Sequence, residues 1–267
     1  MEYAIGFLGY GRMARAVSQG LDRSGLIPFA RQMVSGRDRA RLEQAAAARG
    51  LTVAADNRDL ASRCALVVLG VKPRQVEGVL EEIRELVKDQ TIISLAAGVA
   101  LRELSARLPA GCALVRSMPN VAALAGCGAT LICAVPGLSP ERLARVRDVF
   151  SSVGLCLELE EALFDAGGAL SGSGPAYFFS IMESLVRGAV RLGLTWDQAR
   201  RLTVQTALGA AETARQRPES PLAELRDMVT SPGGTTAEAL YVFEKAGLGG
   251  IVQEALKAAT DKSRNLV

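Results

Sequence analysis

Short apolar runs alternate with segments of helical period through the first half of the chain. Tyr3–Leu8, Gln32–Val34, Leu51–Ala54, Ala65–Leu69, Thr91–Leu95 and Ala113–Val115 read as strands, with Met13–Ser24, Arg37–Arg49 and Gln75–Val87 between them as helices. Such alternation predicts a parallel, doubly wound sheet, because parallel neighbours need a crossover connection, usually a helix. Thr130–Val135 and Leu155–Leu159 add two strands around a helix at Pro140–Ser152, which Ser139 caps and Pro140 opens. After about Glu160 long helical periods take over: Pro175–Leu192, Thr195–Arg217, Pro221–Val229, Thr235–Lys245 and Ile251–Asn265. Thr195 with Gln198, and Thr235 with Glu238, have capping-box spacing, and Gly193 and Gly247 stand where helices stop. The boundary between the two textures falls near residue 160. The Ala-, Gly- and Leu-rich second half either closes as a self-contained bundle or hides apolar faces in a dimer.

The first strand runs into Gly9-Tyr10-Gly11-Arg12-Met13-Ala14, where a helix begins. In that context the pattern binds a dinucleotide. The first glycine permits the tight turn, the second lets the backbone approach a pyrophosphate, and the small third residue brings helix and strand together. The same turn without a ligand is the competing reading. The expected fold is therefore α/β, an N-terminal Rossmann-like NAD(P)-binding domain over residues 1–160 followed by an all-α half over 161–267.

An enzyme for NAD usually places an acid at the tip of the second strand. Here Val34-Ser35-Gly36-Arg37 offers a hydroxyl and a guanidinium, which suit the 2′-phosphate of NADPH. The competing reading has Ser35 capping the next helix and Arg37 in water, and the nearby Asp38 keeps NADH as the second candidate. Val71-Lys72-Pro73 and Leu95-Ala96-Ala97-Gly98 follow the fourth and fifth strands, on the rim where open parallel sheets bind ligands. Lys72 is read as a phosphate or ribose contact, or equally as a surface lysine before a proline turn. Ala96 and Ala97 leave room for a nicotinamide ring, and Met118-Pro119-Asn120 ends the sixth strand on the same rim. The expected cofactor contacts are Leu8, Gly9, Tyr10, Gly11, Arg12, Met13, Ser35, Arg37, Asn57, Val71, Lys72, Pro73, Ala96 and Ala97.

In the helical half, Thr230-Ser231-Pro232-Gly233-Gly234-Thr235-Thr236 sets hydroxyls around Pro-Gly-Gly just before a helix. Free backbone N–H groups, a helix dipole and hydroxyl donors at one point make a seat for a small carboxylate. An ordinary helix–loop–helix turn with a threonine cap fits the same residues equally well.

Composition narrows the chemistry. The 267 residues include no histidine, which excludes Ser-His-Asp and Cys-His nucleophile machinery and histidine-ligated metal sites; no metal is expected. Lys+Arg 31 against Asp+Glu 28 gives +3, without the basic runs of a nucleic-acid binder. The five cysteines, Cys64, Cys112, Cys127, Cys133 and Cys156, include no C-x-x-C pair and read as reduced thiols, which favours the cytoplasm. Met1-Glu2-Tyr3 lacks the basic start of an export signal. The uncharged stretch Ser117–Pro140 is broken by Pro119, Asn120, Gly126, Gly128, Pro136 and Gly137, so it is read as loops and a short strand rather than a membrane span.

Thr230-Ser231-Pro232-Gly233-Gly234-Thr235-Thr236, preceded by Leu225-Arg226-Asp227, resembles the signature of the pyrroline-5-carboxylate reductases. So do Ser171-Gly172-Ser173-Gly174-Pro175-Ala176-Tyr177, Val71-Lys72-Pro73, Ala96-Ala97-Gly98 and Met118-Pro119-Asn120, in order from Gly6 to about residue 245. The resemblance implies hydride transfer from NAD(P)H to the C=N carbon of 1-pyrroline-5-carboxylate, forming L-proline in the last step of its biosynthesis. It implies that residues 161–267 are a helical dimerisation and substrate domain that interlocks with a partner subunit. The assembly would be a homodimer or a set of such dimers, with the active site largely at the dimer interface. It implies substrate contacts at Ser231, Gly234, Thr235 and Thr236, with Thr236 bonded to the ring nitrogen as the catalytic residue, and at Glu161, whose register is ambiguous beside Glu160. The chain departs from the family at Met228, where an amide is common, and at Glu219-Ser220-Pro221-Leu222. A 3-hydroxyisobutyrate-type hydroxyacid dehydrogenase is one alternative, but no lysine follows Gly172-Ser173-Gly174 as its chemistry requires. A noncatalytic NADP-binding sensor is the other, and the hydroxyl-rich loop argues against it.

Overall fold

The computed structural model describes residues 1–265. Its first part alternates strands and helices: β1 (Tyr3–Leu8), α1 (Arg12–Arg23), β2 (Gln32–Ser35), α2 (Arg39–Ala47), β3 (Thr52–Val53), α3 (Asn57–Arg63), β4 (Cys64–Leu69), α4 (Val76–Ile83), β5 (Thr91–Ser94), α5 (Leu101–Ser105) and β6 (Ala113–Pro119). Then come β7 (Gly128–Ala134), α6 (Pro140–Ser151), β8 (Gly154–Glu158) and α7 (Phe164–Ser171). The strands form one sheet in the order β3-β2-β1-β4-β5-β6-β7-β8. Pairing is parallel from β3 to β6, with Gly6 of β1 opposite both Met33 and Val67.

The expected parallel sheet needs one correction. β7 runs antiparallel to β6, because the segment between Pro119 and Gly128 holds only a short 3-10 turn, Val121–Ala125, and no crossover helix. α6 then supplies a crossover, and β8 returns parallel to β7.

Side chains alternate across the sheet. Ile5 and Phe7 on β1, with Val68 and Ile93, meet Val17 and Leu21 of α1 and Phe150 of α6 on one face. Leu8, Val67 and Ile92 meet Leu60 of α3 and Leu80 and Ile83 of α4 on the other. Each such fully buried large side chain contributes roughly 1.5–3 kcal/mol, so two-sided burial dominates the stability of this half. Three short helices, α3, α5 and α7, have no counterpart in the hydrophobic pattern. α3 is announced only by its cap, Asp56, whose Oδ1 accepts the N–H of Asp59 at 2.7 Å.

The remaining helices are α8 (Gly174–Arg191), α9 (Trp196–Gln216), α10 (Leu222–Asp227), α11 (Thr235–Lys245) and α12 (Leu248–Arg264). The Thr195–Gln198 capping box forms reciprocally, at 3.0 and 3.3 Å. The Thr235–Glu238 box does not. Gly234 is the N-cap of α11 and Thr235 its first helical residue, so the threonine stands one place too late to cap.

The chain divides into two compact units, residues 1–173 with the stretch from Thr260, and residues 174–259. α7 belongs to the first, where Phe164 is buried in the sheet's core. In the second, α8 packs against α9, yet among the described residues only Val186 and Ala199 are buried hydrophobic side chains there.

Candidate active site

The glycine turn is built by close backbone approach. Gly9 has φ +89, in the left-handed region, and its N–H bonds to the carbonyl of Ser35 at 2.8 Å. A β-carbon on Gly70 would run into the carbonyl oxygen of Gly9, so both positions need glycine. Gly11 caps α1 without a side-chain hydrogen bond, which leaves the first N–H groups of the helix facing an open cavity. That cavity measures about 610 Å³ and gathers Gly9, Tyr10, Gly11, Ser35, Arg37, Asn57, Val71 and Lys72. Unpaired N–H groups, a helix N-terminus and cationic side chains in one cleft are the donor set a pyrophosphate needs.

Other residues expected at the cofactor lie around this cavity rather than in its lining. Leu8 is fully buried in the core, Met13 packs against the core on the other face, and Arg12 is exposed. Pro73 opens a 3-10 turn closed by the Lys72 N–H on Gln75 Oε1 at 3.3 Å. Ala96 is buried and Ala97 exposed beyond β5.

Local bonds settle several roles. Asp38 caps α2 by accepting the Arg41 N–H at 3.1 Å, so Ser35 is not the cap. Instead the Ser35 hydroxyl donates to Asn57 Oδ1 at 2.8 Å. Tyr10 is anchored inward on Ser18, whose own hydroxyl donates to Gln32, and burial pushes the Tyr10 phenol above its usual value. Tyr10 is therefore a poor proton source near neutrality.

Beyond β5, Glu161 has two partners. Its Oε1 accepts the Arg116 Nη1–H at 2.8 Å and the Leu101 N–H at 2.7 Å, which distinguishes it from Glu160, an N-cap whose side chain makes no capping hydrogen bond. Asn120 braces the end of β6, accepting from the Ala129 N–H and donating to the Ser171 carbonyl.

In the second unit the loop before α11 is a tight turn. Gly233 has φ +67, and the Gly234 N–H reaches the Ser231 carbonyl at 3.0 Å. A β-carbon on Gly234 would collide with the Ser231 hydroxyl oxygen. Gly234 caps α11 with no side-chain bond, so its N-terminal N–H groups are free beside Ser231, Thr235 and the half-buried Thr236. Thr230 is spent locally, its hydroxyl donating to the Arg226 carbonyl at 2.8 Å. Met228 is exposed, with Arg217 Nη1 2.9 Å from its sulfur.

Comparison with known proteins identifies the pattern. Residues 161–266 match the family model for pyrroline-5-carboxylate reductase dimerisation, and residues 4–98 the one described as NADP oxidoreductase, coenzyme F420-dependent. A pyrroline-5-carboxylate reductase of Methanosarcina acetivorans is 36% identical over 98% of this chain and 97% of its own. The chain belongs to the pyrroline-5-carboxylate reductase family. A solved pyrroline-5-carboxylate reductase from Coxiella burnetii is similar at 37% identity with TM-score 0.94, covering 100% of this chain and 99% of that one. A Plasmodium falciparum pyrroline carboxylate reductase with NADP bound aligns at 30% identity and TM-score 0.85, covering 99% and 98%.

Four charged residues in the cavity of this pyrroline-5-carboxylate reductase family member were not singled out from sequence: Arg15, Arg41, Asp56 and Glu82. Arg15, one turn after Gly11, is legible in hindsight from helical period. The others stand on separate elements, and no local pattern joins them.

Proposed function

We propose that the chain reduces the C=N bond of 1-pyrroline-5-carboxylate to give L-proline, with NADPH as reductant and NADH as the second candidate. The observation that carries this reading is the full-length correspondence to relatives named pyrroline-5-carboxylate reductase. The cavity fits the coenzyme on its own terms: the glycine turn and α1 would hold the pyrophosphate, and Ser35, Arg37 and Asn57 the adenosine ribose. Lys72 stands on the same lining, available to a phosphate or ribose oxygen.

When bound, the reduced nicotinamide supplies the hydride. The chain's own residues bind and orient. The free N–H groups at the start of α11, with Ser231, Gly234 and Thr235, would seat the substrate carboxylate, and the Thr236 hydroxyl would align the ring nitrogen. A cyclic imine that arrives protonated becomes a neutral amine on accepting hydride, so no strong general acid is needed, in keeping with a chain without histidine. Catalysis then rests on holding donor and acceptor carbons roughly 3–3.5 Å apart in the right orientation.

The functional division follows the sequence texture, with residues 1–160 serving the coenzyme and 161–267 the substrate and a homodimer. A dimer is supported by the second unit's apolar side chains, with Phe178, Phe179, Tyr241 and Ile251 all exposed in the single chain. A reducing, cytoplasmic setting is supported by five free cysteines. Among the described residues, no helix is long and apolar enough to cross a membrane.

The test is loss of NADPH absorbance on adding pyrroline-5-carboxylate. Substrate-dependent oxidation with proline as product is expected. No oxidation at high enzyme concentration would overturn the reading.

A further inference from the structure

Glu82 on α4 lines the coenzyme cavity beside Asn57, away from the glycine turn and the β2 tip in sequence. Its carboxylate accepts an Nδ2–H of Asn57 at 2.5 Å, and Asn57 Oδ1 accepts the Ser35 hydroxyl at 2.8 Å. The direction of this chain of bonds follows from its last member. A carboxylate only accepts, so Asn57 must turn its NH2 toward Glu82. Its carbonyl then faces Ser35, and the Ser35 proton points at Asn57.

Ser35, at the tip of β2 and 6% exposed, is thereby left with lone pairs alone to offer the cavity. Lone pairs suit a ribose 2′-hydroxyl, which can donate. They oppose a 2′-phosphate, which near neutral pH accepts and carries charge of the same sign as Glu82. Arg15, Arg37 and Arg41 favour the phosphate, while Asp38, Asp56 and Glu82 stand against it on the same lining. Of these acids, Asp38 and Asp56 are engaged as helix caps. Glu82 is the one whose side chain bonds to Asn57, which with Ser35 would hold the adenosine ribose.

We propose that Glu82 is a selectivity residue for the coenzyme: through Asn57 it holds Ser35 as an acceptor, sets its charge against a 2′-phosphate, and so lets NADH compete with NADPH. The proposal rests on the reading of this cavity as the NAD(P) site. Glu82 is exposed, and the bond Arg58 makes to its main-chain carbonyl at 2.9 Å does not depend on the side chain, so substitutions there spare the fold.

The experiment titrates the whole protein with NADPH and with NADH by calorimetry, without substrate, for wild type, Glu82→Gln and Glu82→Leu. In Glu82→Leu, Asn57 is free to turn its amide toward Ser35 and release the serine proton to the phosphate. The ratio of NADPH to NADH affinity is expected to rise roughly tenfold, about what one charge-assisted hydrogen bond at an exposed site provides. Glu82→Gln keeps an acceptor for Asn57 but loses the charge, and should fall between wild type and Glu82→Leu. An unchanged ratio, or an equal gain for both coenzymes, overturns the role of Glu82 and leaves the coenzyme site standing. Wild-type protein that binds neither nucleotide overturns both.

Discussion

Arg116 and Glu161 are joined at 2.8 Å through an oxygen that also accepts the Leu101 N–H at 2.7 Å. The Arg116 side chain is 12% exposed, and its guanidinium lies 4.7 Å from the centre of the Phe164 ring. Leu101 opens α5 directly after the Ala96–Ala100 segment, so the carboxylate ties the end of that segment to β6. Glu161→Ala strands a mostly buried cation and a backbone donor. Allowing for the partial exposure of Glu161, the expected loss is about 1–3 kcal/mol in urea unfolding. If Glu161 touches substrate instead, Glu161→Gln raises KM while the unfolding midpoint stays put.

Gly70→Ala places a β-carbon against the Gly9 carbonyl and 3.2 Å from the Ala14 β-carbon, where main chain must move. Such overpacking costs roughly 1–3 kcal/mol, and here it also distorts the turn proposed to cradle pyrophosphate. Urea unfolding should report the stability loss, and coenzyme affinity should fall well below that of an exposed-site control. Gly188→Ala, exposed on α8 outside the cavity and with nothing within 4 Å of the added β-carbon, is that control. Equal coenzyme binding by the two variants would remove the turn from the site.

Thr236→Ala should lower turnover roughly ten- to hundredfold, the cost of a misaligned acceptor, with NADPH affinity unchanged. Thr236→Ser, which keeps the hydroxyl, should recover most of the rate. An alanine variant as fast as wild type would take Thr236 out of the mechanism.

Stability should fall in alkali through buried thiols. Burial pushes Cys64 up to about 12, and Cys112 and Cys156 up to about 11, from an ordinary 9.0. Above about pH 9 the unfolded chain sheds protons that the folded chain retains, so stability present at neutral pH drains away as pH climbs toward 11–12. By pH 10.5 Cys64 alone accounts for about 2 kcal/mol. Urea midpoints measured from pH 8 to 10.5 should decline less steeply in Cys64→Ala than in wild type. Parallel declines would show that the Cys64 thiol does not drive the effect.

Much of the fold is written in short stretches of sequence. The bounds of β1 at Tyr3–Leu8 and of α11 at Thr235–Lys245 coincide with those read from the sequence, because β1 is a continuous apolar run that the sheet buries on both faces and α11 lies between the glycines at Gly234 and Gly247. The glycine turn was equally legible, since Gly9 meets a constraint set by its own φ. α3 was not: seven residues are too few to establish a period, and its start depends on one capping bond. The reversal at β7 depended on what fills the β6–β7 connection, and a 3-10 turn leaves little trace in hydrophobicity.

The site divides in the same way. Ser35 and Arg37 are visible because they stand together at the end of one strand, whereas Ser35, Asn57 and Glu82 come from β2, α3 and α4 and meet only after packing. By itself the sequence determined the periods, caps and glycine turns, each an interaction among residues a few places apart. Which polar groups would face one another across the cavity was decided by strand register and helix phase. Those are set by the combined burial of both faces of the sheet, and no local stretch carries that sum.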